Sequence, residues 1–160
     1  RQMCIRDRKV WVYYMGGNGQ HTNFRESSLG RAYWEVDKFA CWTGRKEGIE
    51  SILTTTTLTL SGDYVEVLAD VVDTEKDWEL AASVHPVWTE NAYEGLRMEE
   101  AVAEKSGRWI RISWKGEKLP DKSGCIRFKF KNLKIWAVRG EMEYKGHRLW
   151  EGADMENEGM

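Results

Sequence analysis

A strict two-residue alternation, recurring in separate short segments, constrains this chain more than any other feature. In CIRFKF (residues 125–130), Ile126, Phe128 and Phe130 alternate with Arg127 and Lys129. In RWIRISW (108–114), Ile110, Ile112 and Trp114 fall on one face, with Trp109, Arg111 and Ser113 on the other. YVEVLADV (64–71) places Val65, Val67, Ala69 and Val71 together and Glu66 and Asp70 opposite. WELAASV (78–84) turns Trp78, Leu80, Ala82 and Val84 inward. Successive side chains of a strand point to opposite faces, so this period describes strands with one buried face. Turn-forming SGD and DTEKD separate the segments. The pattern predicts an all-β fold built on an antiparallel, jelly-roll-like β-sandwich. At Lys131-Asn132 the phase slips by one residue, since Leu133 and Ile135 resume on odd numbers. A one-residue slip reverses the faces, so a bulge or tight turn belongs there.

The remaining chain is read with less symmetry. VWVYYM (10–15) is a short aromatic strand stopping at Gly16-Gly17, and SLGRAYW (28–34) is its partner across a long polar loop, residues 18–25. EVDK (35–38) forms the next turn, and TGRKEGIES (43–51) reads as a linker or edge loop. ILTTTTLTL (52–60) reads as a Thr-rich strand that SGD turns into the next one. Residues 94–107 alone have any helical character, and a long loop with one helical turn competes equally with a helix. The nine Trp, six Tyr and four Phe, set against two Pro, suit half-buried strands. A net charge of −2 with mixed signs lacks the clustered Lys/Arg of a nucleic-acid partner. No apolar run approaches the roughly 18 residues of a spanning helix, so no membrane partner is expected.

Several motifs invite chemistry. Gly16, Gly17 and Gly19 follow a strand, yet neither the Lys-Ser/Thr of a phosphate loop nor the G-x-G-x-x-G spacing is present. A wide turn using glycine's freedom at positive φ accounts for them. His21 has no ligand-spaced acid beside it, and His85 and His147 are distant in sequence. It reads as a hydrogen-bonding loop histidine, and no metal or other cofactor is expected. Three acidic pairs stand out: Asp70 with Asp73, Glu99 with Glu100, and Asp63 with Glu66. They sit on outward faces or in turns, where solvation explains them without the opposed carboxyl groups of glycoside hydrolysis. No catalytic residue is therefore assigned. Trp109 suits either a sugar platform or packing under a loop, with packing favoured. Cys41 and Cys125 read as buried free thiols, with a disulfide between them as the alternative.

RQMCIRD (1–7) resembles a translated sequencing adapter of the kind found in metagenomic assemblies, which implies that the natural sequence starts near Arg8 or Lys9. Cys4 and the lack of a signal peptide then carry no information about compartment. From there, VYYMGGNGQHTNFRESSLGRAYWEVDKF, ILTTTTLTLSGDYVEVLADV, ISWKG and IRFKFKNLKIWAV together resemble a bacterial glycosidase-like family. Its members join a five-bladed β-propeller, of the invertase and arabinanase group, to a C-terminal β-sandwich. Tyr13, Tyr14, Gly16, Gly17, His21, Arg25, Leu29, Gly30 and Ala32 fit the propeller-closing segment. Leu53 to Thr56, Trp114 to Gly116, and Arg127 to Leu133 fit the sandwich. Met15 interrupts the family's Tyr-Tyr-Gly-Gly, and its mid-sandwich Asp-Cys element is replaced by LRMEEAVAEK.

The resemblance implies an adapter-like segment at 1–8, closing strands of a truncated propeller at 9–40, a sandwich at 41–139 and a partly mobile tail at 140–160. It also implies catalytic carboxylates upstream of this chain and an intramolecular propeller partner. Substrate contact by carbohydrate would fall to Asn18, His21 and Arg25. The expected function is an accessory sandwich supporting a glycoside hydrolase. A non-catalytic carbohydrate-binding module and a purely structural sandwich are the alternatives.

Overall fold

The structure, a computed structural model, describes residues 2–19, 26–44, 49–87 and 89–144. Two compact units divide the chain, Arg1–Cys41 and Trp42–Met160.

The first unit is an antiparallel meander of β1 (Gln2–Arg6), β2 (Lys9–Gly17) and β3 (Ser27–Glu35) in that order. Asp7 and Arg8, at φ 54° and 60°, make the two-residue connection between β1 and β2. Positive φ at both positions matches the right-handed strand twist. The paired strands expected at 10–15 and 28–34 are both present, in a register that sets Trp11 opposite Tyr33 and Tyr14 opposite Gly30. One face carries Lys9, Trp11, Arg31 and Tyr33, with the Trp11 and Tyr33 rings 4.7 Å apart and Arg31 4.5 Å above Trp11. Among the residues of this unit whose burial is described, none is fully buried.

The second unit holds β4 (Trp42–Thr43), β5 (Ser51–Thr54), β6 (Leu58–Val71), β7 (Glu79–Pro86), β8 (Ala101–Ser106), β9 (Trp109–Trp114), β10 (Lys122–Lys131) and β11 (Leu133–Tyr144). Every pairing is antiparallel, and the arrangement is β-sandwich-like. One layer runs β8-β9-β6-β11-β4 and the other β7-β10-β5. The first residues of β6 also pair with β10, so this long strand ties the layers together. Between the layers lie Val65 and Val67 of β6, Ile110, Ile112 and Trp114 of β9, and Leu133 and Ile135 of β11. From the other side come Leu80, Ala82 and Val84 of β7 and Ile126, Phe128 and Phe130 of β10. These are the inward sets the alternation specifies. Removing each large apolar side chain from water contributes about 1.5–3 kcal/mol.

Three sequence expectations are corrected. Ser61-Gly62-Asp63 is no turn: β6 passes through it, and β11 pairing jumps from Gly140↔Val65 to Glu141↔Ser61. Three extra β6 residues bend the strand there, with Gly62 at φ 86°. The Thr-rich 52–60 segment is two strands, broken at residues 55–57, where Ile126 donates its backbone N–H to Thr55 Oγ1 at 2.9 Å. Residues 101–106, expected as helix or loop, form β8 because Ala101 and Ala103 pack inward beside Ile112. The last strand, β11, runs to Tyr144, because residues 141–144 pair with the start of β6.

The phase slip at Asn132 is a one-residue corner. Asn132 sits at φ 55°, so the chain leaves β10 in one layer and enters β11 in the other. Its Oδ1 accepts from Asp73 N–H at 2.9 Å, and its Nδ2 donates to the carbonyls of Asp73 and Lys76 at 2.7 and 2.9 Å.

Candidate ligand pocket

The outer face of the β7–β10 layer carries the most concentrated polar chemistry. The register sets Ser83 directly across from Arg127, and His85 across from Cys125. Alternation alone places all four in solvent. Instead Ser83 and His85 are only 3% and 4% exposed. The cover is the segment following β7. Tyr93 N–H donates to Val84 O at 2.9 Å, and Val84 N–H donates to Leu96 O at 3.0 Å, extending the sheet edge irregularly. Leu96 anchors this segment in the core, and Gly95 turns it at φ 77°. The short 3-10 turn Met98–Glu100 follows, closed by Glu100 Oε2 accepting from Arg97 N–H at 3.0 Å.

Beneath this cover lies a cavity of about 340 Å³ lined by Ser83, His85, Glu90, Asn91, Arg97 and Arg127, among others. Ser83 Oγ and His85 Nε2 are 2.7 Å apart. Among the described residues His85 Nδ1 makes no well-formed hydrogen bond, although the backbone of Asn91 and Glu90 lies close to the ring. Burial, and then the Arg127 charge, hold the imidazole pKa below its usual value; Glu90 and the nearby Glu90 and Asn91 backbone oppose this more weakly. Burial thus disfavours the charged ring, and in the tautomer protonated on Nδ1 the Ser83 hydroxyl donates to Nε2. Arg127 Nη1 meets Glu90 Oε2 at 3.1 Å. Burial pushes the Cys125 thiol pKa up, partly offset by Arg127. Cys41 and Cys125 are free thiols, each half-buried where full burial was expected.

Of the three residues implied to contact sugar, Asn18 lies just beyond β2. It makes reciprocal bonds with Glu26: Oδ1 accepts from Glu26 N–H at 3.0 Å, and Nδ2 donates to Glu26 Oε2 at 3.3 Å. A shallow hollow of about 360 Å³ beside it is lined by Tyr14, Gly16, Glu26 and Ser28. His21 and Arg25 lie outside the described residues.

The acidic pairs are dispersed into separate structural contacts. Asp70 Oδ2 accepts from Trp136 Nε1 at 2.8 Å, and Asp73 closes its own turn through Glu75 N–H and Lys76. Glu66 is held between Arg139 and Arg111. Trp109 is buried, with Arg139 laid over its ring. Among the described residues no three His, Cys, Asp or Glu side chains converge as metal ligands.

Sequence reasoning passed over Ser83 and His85. Their signal is slight: two polar residues in phase with Glu79 on a face assigned to water. What buries them is a segment more than five residues further on, with no periodicity of its own.

No protein family, curated protein or solved structure matches this chain.

Proposed function

We propose that the chain is an accessory, non-catalytic part of a carbohydrate-active protein, with the sandwich-like unit as its stable body and β2 and β3 as strands of a propeller. The observation that carries the non-catalytic part is the employment of four of the six candidate carboxylates. Glu66, Asp70, Asp73 and Glu100 are each bound to a neighbouring arginine, indole, lysine or backbone N–H. Glycoside hydrolysis needs two carboxyl groups facing one another across a sugar, one giving and one taking a proton or a glycosyl bond. Carboxylates committed to corners and arginine ladders do not supply that pair. The propeller and carbohydrate parts rest on the sequence resemblance. The absence of fully buried residues among those of the first unit whose burial is described supports its belonging to a larger β-structure, because a few strands without a core are marginal alone.

The test is to assay the purified chain against aryl glycosides, and for retardation in gels containing arabinan, levan or xylan. No turnover and measurable retardation are expected. Turnover that co-purifies with the chain overturns the non-catalytic reading. Absence of both, from a folded chain, favours the purely structural sandwich. That reading has its own support: Trp109 and Trp114 are packed and form no surface row for sugar stacking.

A further inference from the structure

We infer that the cavity on the outer β7–β10 face is a binding site for a neutral, polyhydroxylated ligand of monosaccharide size, held chiefly by Asn91, Arg127, Glu90 and Arg97. The inference rests on the carbohydrate reading above and assigns it a place different from the Asn18 region. Three observations support it. The volume, about 340 Å³, lies within the range of small-molecule pockets and at its lower end. The lining is balanced in charge, with Arg97 and Arg127 set against Glu90 and Glu99. An anion entering would have to compete with Glu90 for Arg127, whereas a hydroxyl pair bonds to both partners and leaves their 3.1 Å ion pair intact.

The third observation is the chemical variety of the lining. Beside the charged groups it includes Asn91 and the buried Ser83–His85 pair, whose Oγ and Nε2 are 2.7 Å apart. The lining thus offers guanidinium, carboxylate, carboxamide, imidazole and hydroxyl groups together. Guanidinium, carboxylate and carboxamide each present two polar atoms in one plane, which suits adjacent hydroxyls on a ring. Among the described residues that line the site there is no aromatic platform. Binding is therefore polar and weak, with Kd on the order of 1 mM.

The experiment uses the whole chain, isotope-labelled, titrated separately with the methyl glycosides of glucose, galactose, xylose and arabinose, and with acetate and inorganic phosphate. At least one glycoside is expected to shift the amide signals of Ser83, His85 and Arg127. Asn91→Ala and Arg127→Met should each weaken binding by about tenfold. Asn18→Ala should leave it unchanged. Asn91 lies in the covering segment, so its variant remains informative if Arg127→Met fails to fold. Glycoside binding that shifts only signals around Asn18, and is indifferent to Asn91→Ala, overturns this assignment while leaving the carbohydrate reading standing. Shifts at Ser83 and His85 with phosphate or acetate alone overturn the neutral-ligand assignment and show an anion site. No response to any glycoside, together with no retardation in polysaccharide gels, overturns both.

Discussion

Arg139 lies flat over the Trp109 ring, 4.0 Å from its centroid, and the same guanidinium donates from Nε to Glu66 at 2.8 Å. The register produces this contact: Glu66 of β6 is paired with Arg139 of β11 on one side and Arg111 of β9 on the other. A carboxylate between two guanidiniums thus crosses three strands, and Arg111 in turn lies 4.1 Å over Tyr64. Glu66 is 8% exposed, so removing Arg139 strands a desolvated carboxylate with only the longer 3.6 Å contact to Arg111. Arg139 itself is about half exposed, which limits the loss. Arg139→Ala should cost about 1–2 kcal/mol in urea unfolding, and Arg139→Lys should recover less than half, since lysine lacks the planar stacking surface. A double variant, Glu66→Gln with Arg139→Met, should be less unstable than the sum of the single changes.

A second prediction concerns Tyr14 and Gly30, which face one another across β2 and β3. A β-carbon built on Gly30 would lie 2.5 Å from the Tyr14 ring, so the ring occupies the space a side chain would fill. The Gly30 α-protons should therefore resonate well upfield through the ring current, and Tyr14→Leu should abolish the shift. Gly30→Ala should displace the ring at small cost, under about 1 kcal/mol, because Tyr14 is half exposed and free to rotate away. An unshifted Gly30 signal in the unaltered chain would refute the contact.

These contacts mark where the sequence is legible and where it stops being so. Alternation identifies the inward faces of β7, β9 and β10 because a two-layer fold enforces one parity along each strand. It misplaces the outward residues, since it takes an outward face to mean water. Trp109 is outward and buried because Arg139, two strands away, folds over it. Ser83 and His85 are outward and buried beside the segment after β7, whose residues 90–92 and 97–99 share their cavity lining. Both coverings are made by segments remote from the strand they cover, and period-two reading carries no information about such partners. The same limit explains the SGD error: glycine beside aspartate signals a turn locally, while continued pairing with β11 makes it a bend within β6.

The Asn132 corner gives a third prediction. The position needs positive φ, and its side chain holds the residue 73–76 turn through one accepted and two donated bonds. Asn132→Gly keeps the backbone freedom and loses every bond, so it isolates the side-chain contribution at about 1–3 kcal/mol. Asn132→Asp preserves the bond from Asp73 N–H but sets a carboxylate against the Asp73 and Lys76 carbonyls. It should be as damaging as glycine. Asn132→Ala loses the bonds and strains the left-handed backbone, and should give the largest fall in Tm of the three. Equal melting temperatures for all three variants and the unaltered chain would show the corner to be indifferent to its side chain.

The last prediction is a pH dependence with a definite sign. Desolvation, reinforced by Arg127, holds the His85 pKa below its ordinary value of 6.5. In the unfolded chain His85 takes up its proton near the ordinary value, while the folded chain resists until the pH falls further. Through that window the unfolded state binds more protons, so stability rises with pH. The contribution is fully present above about pH 6.5 and is progressively lost as pH falls toward the depressed folded value. Asp73 has the same sign for a different reason: the Lys76 and Glu75 contacts lower its pKa below 3.8, so its contribution is lost only at more acidic pH. Urea unfolding between about pH 7 and 5 therefore separates the histidine window from that of Asp73. His85→Gln should flatten the curve in that range, and an imidazole carbon titration should show a midpoint below 6.5 in the unaltered chain. Ser83→Ala removes the hydroxyl bonded to Nε2 but leaves the burial, so the midpoint should stay depressed. A midpoint at or above the ordinary value would mean that water reaches the ring, and its burial would then be wrong.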